Sequence, residues 1–93
     1  MLSDSVKLTA FEKDVYRTVM SIPFGQVRSY RWVASKIGRP TAARAVGNAL
    51  NKNPFVPYVP CHRVIASDGS LGGYSGGLAK KRELLERERR AIE

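Results

Sequence analysis

Prolines at 54, 57 and 60 divide this chain of 93 residues, because each lacks an amide hydrogen and clashes with the turn that would precede it in a helix. The stretch Phe55-Val56-Pro57-Tyr58-Val59-Pro60 must therefore run extended, and it delivers the chain in a fixed direction to Cys61. Helical signals lie on either side of it.

Ahead of the prolines, Thr9 and Glu12 have the spacing of a capping box, and Phe11, Val15, Val19 and Ile22 follow one helical face until Pro23-Phe24-Gly25. Ser29 is placed to cap a short helix from Tyr30 to Ile37, with Gly38 just past its end. Gly38-Arg39-Pro40 makes a turn, Thr41 is expected to cap the next helix, and that helix runs from Ala42 to about Asn51. Two short helices joined by a glycine-containing turn outline a helix-turn-helix over about residues 29–51. Ala42, Ala43, Ala45, Gly47 and Ala49 make its second helix a slim rod with one long cation, Arg44. Such a rod suits close approach to a nucleic-acid groove, and it suits close helix packing equally well.

Beyond the prolines, Cys61 to Ala66 reads as a short strand or extended segment and Ser67-Asp68-Gly69-Ser70 as a turn. Gly72-Gly73-Tyr74-Ser75-Gly76-Gly77 is either a pocket wall or a plain connector. A last helix from Leu78 carries Leu78, Leu84, Leu85 and Ile92 on one side, and Glu88 falls on that same face. A carboxylate directed inward needs a partner. The candidates are His62 and an arginine such as Arg63 or Arg87.

Charge is distributed unevenly. Between Val15 and Ser67 there is no Asp or Glu, while Arg17, Arg28, Arg31, Lys36, Arg39, Arg44, Lys52 and Arg63 supply eight positive charges, the whole of the net +8. This is the footprint of a surface that meets phosphates, although a merely solubilising surface would carry it too. The basic residues do not share one long amphipathic helix, and no apolar run approaches membrane-spanning length, so no membrane partner is expected. The length suits one domain over residues 1–93. With a single cysteine there is no internal disulfide, and no ligand cluster suggests a metal. The N-terminus lacks a signal-peptide layout, so an intracellular protein, cytoplasmic and nucleoid-associated or nuclear, is expected rather than a secreted one.

The only cysteine and the only histidine are neighbours, in Pro60-Cys61-His62-Arg63-Val64. A thiol becomes a nucleophile as thiolate, and an imidazole can generate one near neutral pH. A lone cysteine is also often a small buried hydrophobe. On a regular strand adjacent side chains point to opposite faces, so a kink or a bridging water is needed before the pair can cooperate. If Glu88 orients His62, the three form the order of a catalytic triad.

These residues carry a resemblance. Pro23-Phe24-Gly25-Gln26-Val27 with Ser29-Tyr30, Ala42-Ala43-Arg44-Ala45-Val46-Gly47, Asn53-Pro54, Pro60-Cys61-His62-Arg63-Val64-Ile65 and Gly72-Gly73-Tyr74-Ser75-Gly76-Gly77-Leu78 resemble the C-terminal domain of the O6-alkylguanine-DNA alkyltransferases, also called methylated-DNA-protein-cysteine methyltransferases. The resemblance covers about two thirds of the chain, from Pro23 to Glu88. It implies a mainly α fold with a short extended or β segment, a winged-helix-like helix-turn-helix DNA-binding domain. It makes Cys61 the alkyl acceptor, His62 the water-mediated base, Glu88 its orienting group and Asn53 the brace of the neighbouring turn. Tyr30 would rotate the damaged nucleotide's phosphate and contact the guanine, and Tyr74, Ser75 and Gly76 would line its pocket. Arg44 would fill the gap left in the stack, with Ala42 and Ala43 on a helix entering the minor groove.

The implied function is single-turnover repair of O6-alkylguanine in double-stranded DNA, with O4 of thymine left open as a further substrate. It needs no cofactor, acts as a monomer, and leaves any repair-protein partner unspecified. Members of the family usually carry a further N-terminal domain. A short form also resembles the alkyltransferase-like proteins, which bind alkylated guanine without repairing it and recruit other factors, but which typically have tryptophan where this chain has Cys61. That adaptor, a sequence-reading regulator and a thiol hydrolase are the rival classes.

Overall fold

A computed structural model describes residues 8–55, 58–72 and 77–92. Its elements in chain order are helix α1 (Ala10–Met20), strand β1 (Arg28–Ser29), helix α2 (Tyr30–Lys36), helix α3 (Ala43–Asn51), a 3-10 turn (Cys61–Arg63), strand β2 (Val64–Ile65) and helix α4 (Leu78–Ile92). The expected mainly helical fold with a short β segment and a helix-turn-helix, here α2 and α3, is what the chain adopts.

Helix α1 begins as its sequence dictates. The Thr9 hydroxyl accepts from the Glu12 amide at 3.0 Å and the Glu12 carboxylate accepts from the Thr9 amide at 3.0 Å, a capping box of the kind that stabilises a helix by about 1 kcal/mol. Its Val15, Tyr16 and Val19 are buried, and Ile22 follows them inward just past the helix end. Each such side chain removed from water contributes roughly 1.5–3 kcal/mol. They meet Val33 and Ala34 of α2, Val46, Ala49 and Leu50 of α3, and Val59, Cys61 and Val64 from the later segment. The Tyr16 hydroxyl crosses this core to donate to the Ala49 carbonyl at 2.7 Å, which meets the polar requirement of a buried phenol.

The turn chemistry before α2 and after it also follows the sequence. The Ser29 hydroxyl accepts from the Trp32 amide at 2.9 Å, and Gly38 takes φ of +78° just beyond the C-terminal cap. The next start differs from expectation: α3 is entered through Ala42, not Thr41, with no side-chain cap. The Ala42 amide is already engaged by the Arg39 carbonyl at 2.9 Å, so the tight turn through Pro40 consumes one residue more before the helix can open. Ala49 of the slim rod faces the core and serves helix packing, while Arg44 and Ala45 are exposed.

Strands β1 and β2 pair in parallel, Arg28 opposite Val64 and Ser29 opposite Ile65. The expected strand from Cys61 is thus confined to Val64–Ile65, since Cys61–Arg63 coil into a 3-10 turn closed by the Arg63 amide on the Pro60 carbonyl at 2.9 Å. The turn at 67–70 forms as read, with the Gly69 amide on the Ala66 carbonyl. Helix α4 departs furthest from its apolar pattern. Leu78 and Ile92 are half exposed or more, and the residues that α4 buries are Lys81 and Glu88, seven apart. Among the described residues, no helix is long and apolar enough to cross a membrane.

Candidate active site

The 3-10 turn supplies the kink that a regular strand would have denied. It places Cys61, His62 and Arg63 on one tight bend, with Cys61 and His62 both buried. Glu88 reaches this bend from α4. Its Oε2 lies 2.7 Å from Nε2 of His62, while Arg63 donates through Nε to Oε1 at 3.0 Å and through Nη2 to Oε2 at 2.9 Å. The Gly25 amide adds a fourth donor at 3.3 Å. The two partners weighed for Glu88, histidine or arginine, are therefore both present, and Arg87 pairs instead with Glu83.

Electrostatics follows from that geometry. Burial works to raise the Glu88 carboxyl, but the hydrogen bonds from Arg63, His62 and Gly25 outweigh it and bring the group down to about 2. Glu88 is thus a carboxylate that only accepts, so the proton of a neutral His62 sits on Nε2 and Nδ1 is left as the basic nitrogen. Burial pushes the Cys61 thiol above its ordinary value, against opposing influences from the Asn53 side chain and the Lys81 charge. The resting thiol is protonated at neutral pH, and a base is required to activate it.

Asn53 staples the segment that carries Cys61. Its Nδ2 donates to the Val59 carbonyl at 2.9 Å and its Oδ1 accepts from the Phe55 amide at 2.9 Å, which closes the proline-rich loop onto itself. Between α2 and α3 lies an open concavity of about 440 Å³, lined by Tyr30 and Arg31 of α2, Ala43, Arg44, Gly47, Asn48 and Asn51 of α3, and Ala66 and Ser67. Arg44 and Ala43 face this hollow, whereas Ala42 is partly buried against the core. Tyr74, Ser75 and Gly76, read as pocket residues, lie outside the described residues. Among the described residues, no three His, Cys, Asp or Glu side chains gather where they could hold a metal.

Lys81 is the residue that sequence reasoning missed. It is fully buried, and its Nζ donates to the Val64 carbonyl at 2.7 Å, to the Leu71 carbonyl, and to the Tyr30 hydroxyl at 3.4 Å. Burial lowers its ammonium to about 8, partly opposed by Cys61. The available signal was its seven-residue spacing to Glu88 on one helical face. Lys81 joins α4, β2 and α2 around the ring of Tyr30.

Gly72 completes the seat of that ring. A Cβ there would stand 2.8 Å from both Cε2 and the hydroxyl of Tyr30, and φ is +69°. Gly72→Ala is therefore expected to displace Tyr30 and to cost about 1–3 kcal/mol, from overpacking and a left-handed backbone together. Urea unfolding checks it; an unchanged midpoint would contradict this packing.

Known proteins share the fold. Residues 10–90 match the family model of the 6-O-methylguanine DNA methyltransferase DNA binding domain. The chain belongs to this family. Among curated members, the methylated-DNA--protein-cysteine methyltransferase of Mycobacterium bovis is 51% identical over 81 residues, 87% of this chain and 49% of its own. The inducible enzyme of the same name from Bacillus subtilis is 48% identical over 83 residues, 89% of this chain and 46% of its own. The chain spans about half the length of these methyltransferases. Among solved structures, Mycobacterium tuberculosis OGT in complex with DNA superposes with a TM-score of 0.88 at 49% identity, over 90% of this chain and 52% of that one. S. pombe Atl1, in complex with damaged DNA containing O6-carboxymethylguanine, gives 0.79 at 34% identity, over 89% of this chain and 79% of that one.

Proposed function

We propose that this chain, acting as one domain, repairs double-stranded DNA by moving an alkyl group from O6 of guanine to Cys61. The observation that carries this reading is the buried pair of His62 and Glu88, bonded at 2.7 Å, with His62 on the same tight turn as the buried Cys61. Names and DNA complexes among the relatives support the same reading.

The lesion is closed inside the duplex, so the nucleotide leaves the stack, at a cost of a few kcal/mol that is smaller for a weakened pair. Arg44, exposed on α3, fills the vacated space, and Tyr30 meets the extruded nucleotide at the edge of the concavity. Nδ1 of His62 takes the thiol proton through a bridging water while Glu88 stabilises the imidazolium. The sulfur then attacks the alkyl carbon in line. A C–S bond forms, the C–O bond breaks with its electron pair going to guanine, and the base regains a proton. The thioether is a poor leaving group, and this chain has no second thiol to resolve it, so Cys61 is consumed. The work belongs inside the cell, on chromosomal DNA, and O4 of thymine is a further position the same chemistry could serve.

The test is intact-mass measurement after incubation with a duplex containing O6-methylguanine. Gain of one methyl group, mapped to Cys61, is expected. A second reading, a lesion binder without transfer, is favoured by the likeness to Atl1 with its damaged DNA. Lesion bound while Cys61 keeps its mass would select that reading.

A further inference from the structure

Two of the cations in the acid-free segment converge on one aromatic ring. The guanidinium carbon of Arg28 lies 5.4 Å from the centre of the Trp32 ring, and Nζ of Lys36 lies 5.5 Å from it. Neither cation has an acidic partner among the described residues. An aromatic ring offsets only part of the cost of gathering two cations without a counter-ion. An arriving anion would relieve the rest.

The group is built to stay in place. Trp32 is partly buried against the core, so its ring is a fixed platform, and Lys36 stands one helical turn beyond it. Arg28 sits on β1, opposite Val64. Its Nη1 donates to the Val27 carbonyl at 2.8 Å and its Nη2 to Oε1 of Gln26 at 2.7 Å. Three of the five donors of the guanidinium remain for an external acceptor. Trp32 lies about 100° around α2 from Arg31, which lines the concavity beside Tyr30 and Arg44. The patch is thus a flank of the helix whose other side faces the hollow.

We propose that Arg28, Trp32 and Lys36 form a second contact with the DNA phosphate backbone, away from the extruded nucleotide. This rests on DNA being the partner proposed above. Phosphate is the chemistry that fits: the patch has two cations, spare guanidinium donors and no acid between Val15 and Ser67. A duplex seated along α3 passes this flank because the same helix, α2, borders both. The contact is independent of sequence and of damage, and it serves the search for lesions rather than the chemistry.

The experiment is a titration of undamaged duplex, two helical turns long, at several salt concentrations. Comparison is made with R28Q/K36Q, which keeps the side-chain stems over the ring, with the charge-conserving R28K/K36R, and with R82A/R90A, which removes as much charge from exposed positions of α4, outside the acid-free segment. The slope of log affinity against log salt is expected to become shallower by about 1.8 in R28Q/K36Q, two phosphates at about 0.9 each. R28K/K36R keeps the wild-type slope, as does R82A/R90A, and circular dichroism verifies that all variants fold. An unchanged slope in R28Q/K36Q overturns the inference, as does an equal loss in R82A/R90A, which would reflect net charge alone. Wild-type protein that binds no duplex would overturn the functional reading and this one with it. Wild-type binding with an unaltered slope in the variant overturns this inference alone.

Discussion

Cys61→Ser is expected to abolish alkyl transfer while lesion binding persists. Serine has nearly the volume of cysteine, so the core around Val59, Cys61 and Val64 keeps its shape, and the new hydroxyl can use the Asn53 side chain that already bears on the thiol. What disappears is the chemistry. A hydroxyl yields no appreciable oxyanion even beside a histidine, and removing the nucleophile from a site whose parts act together lowers rates by about 10⁴-fold or more. Labelled methyl transferred from DNA to protein measures it. Transfer retained above one part in about a thousand would place the acceptor elsewhere.

Glu88 governs the second large effect. Glu88→Ala leaves a buried histidine and a largely buried arginine without their carboxylate, a loss of about 3–5 kcal/mol in stability. Glu88→Gln keeps the shape but offers His62 a neutral group, and transfer should fall by about 10²–10⁴-fold through loss of general-base function. Acid titration separates the structural part. The Glu88 carboxyl is depressed from 4.5 to about 2 in the folded protein, so between those values the unfolded chain binds a proton that the folded one does not. The stability contributed by Glu88 is therefore complete above pH 4.5 and is lost as pH falls toward 2. Urea midpoints measured across that window should decline in the wild type and decline less in Glu88→Gln; parallel curves would refute the assignment.

Local chemistry made most of the architecture legible. Capping residues at Thr9 and Ser29 and the stop at Gly38 act within a few residues, so their consequences could be read from neighbours alone, whereas the stretch before Cys61, expected to run extended, bends so that the Val59 amide meets the Phe55 carbonyl at 3.0 Å. The inward placement of Glu88 was also legible, because a charge on an apolar face must be satisfied. The reason that α4 nevertheless turned differently from its leucines is tertiary. Lys81 finds two carbonyls and a phenol, and Glu88 finds a histidine, an arginine and an amide, and together these polar partners fix the rotation of the helix against β2 and the 3-10 turn. No periodicity can foresee carbonyls contributed by Val64 and Leu71. The shortening of the strand at Cys61 has a similar origin, since a 3-10 turn of three residues leaves no pattern of its own.

The parallel pairing of β1 with β2 has a mechanical consequence. Ser29 immediately precedes α2 and caps it, and Ile65 lies four residues past the sulfur-bearing position, yet the two strands are directly hydrogen-bonded. Helix α2, which packs against α3, and the segment that carries Cys61 are thereby geared together through paired backbone. Tilting α2 on its seat would swing the sulfur with it, so a distant packing error that barely weakens docking could still carry the thiol out of range of its target carbon.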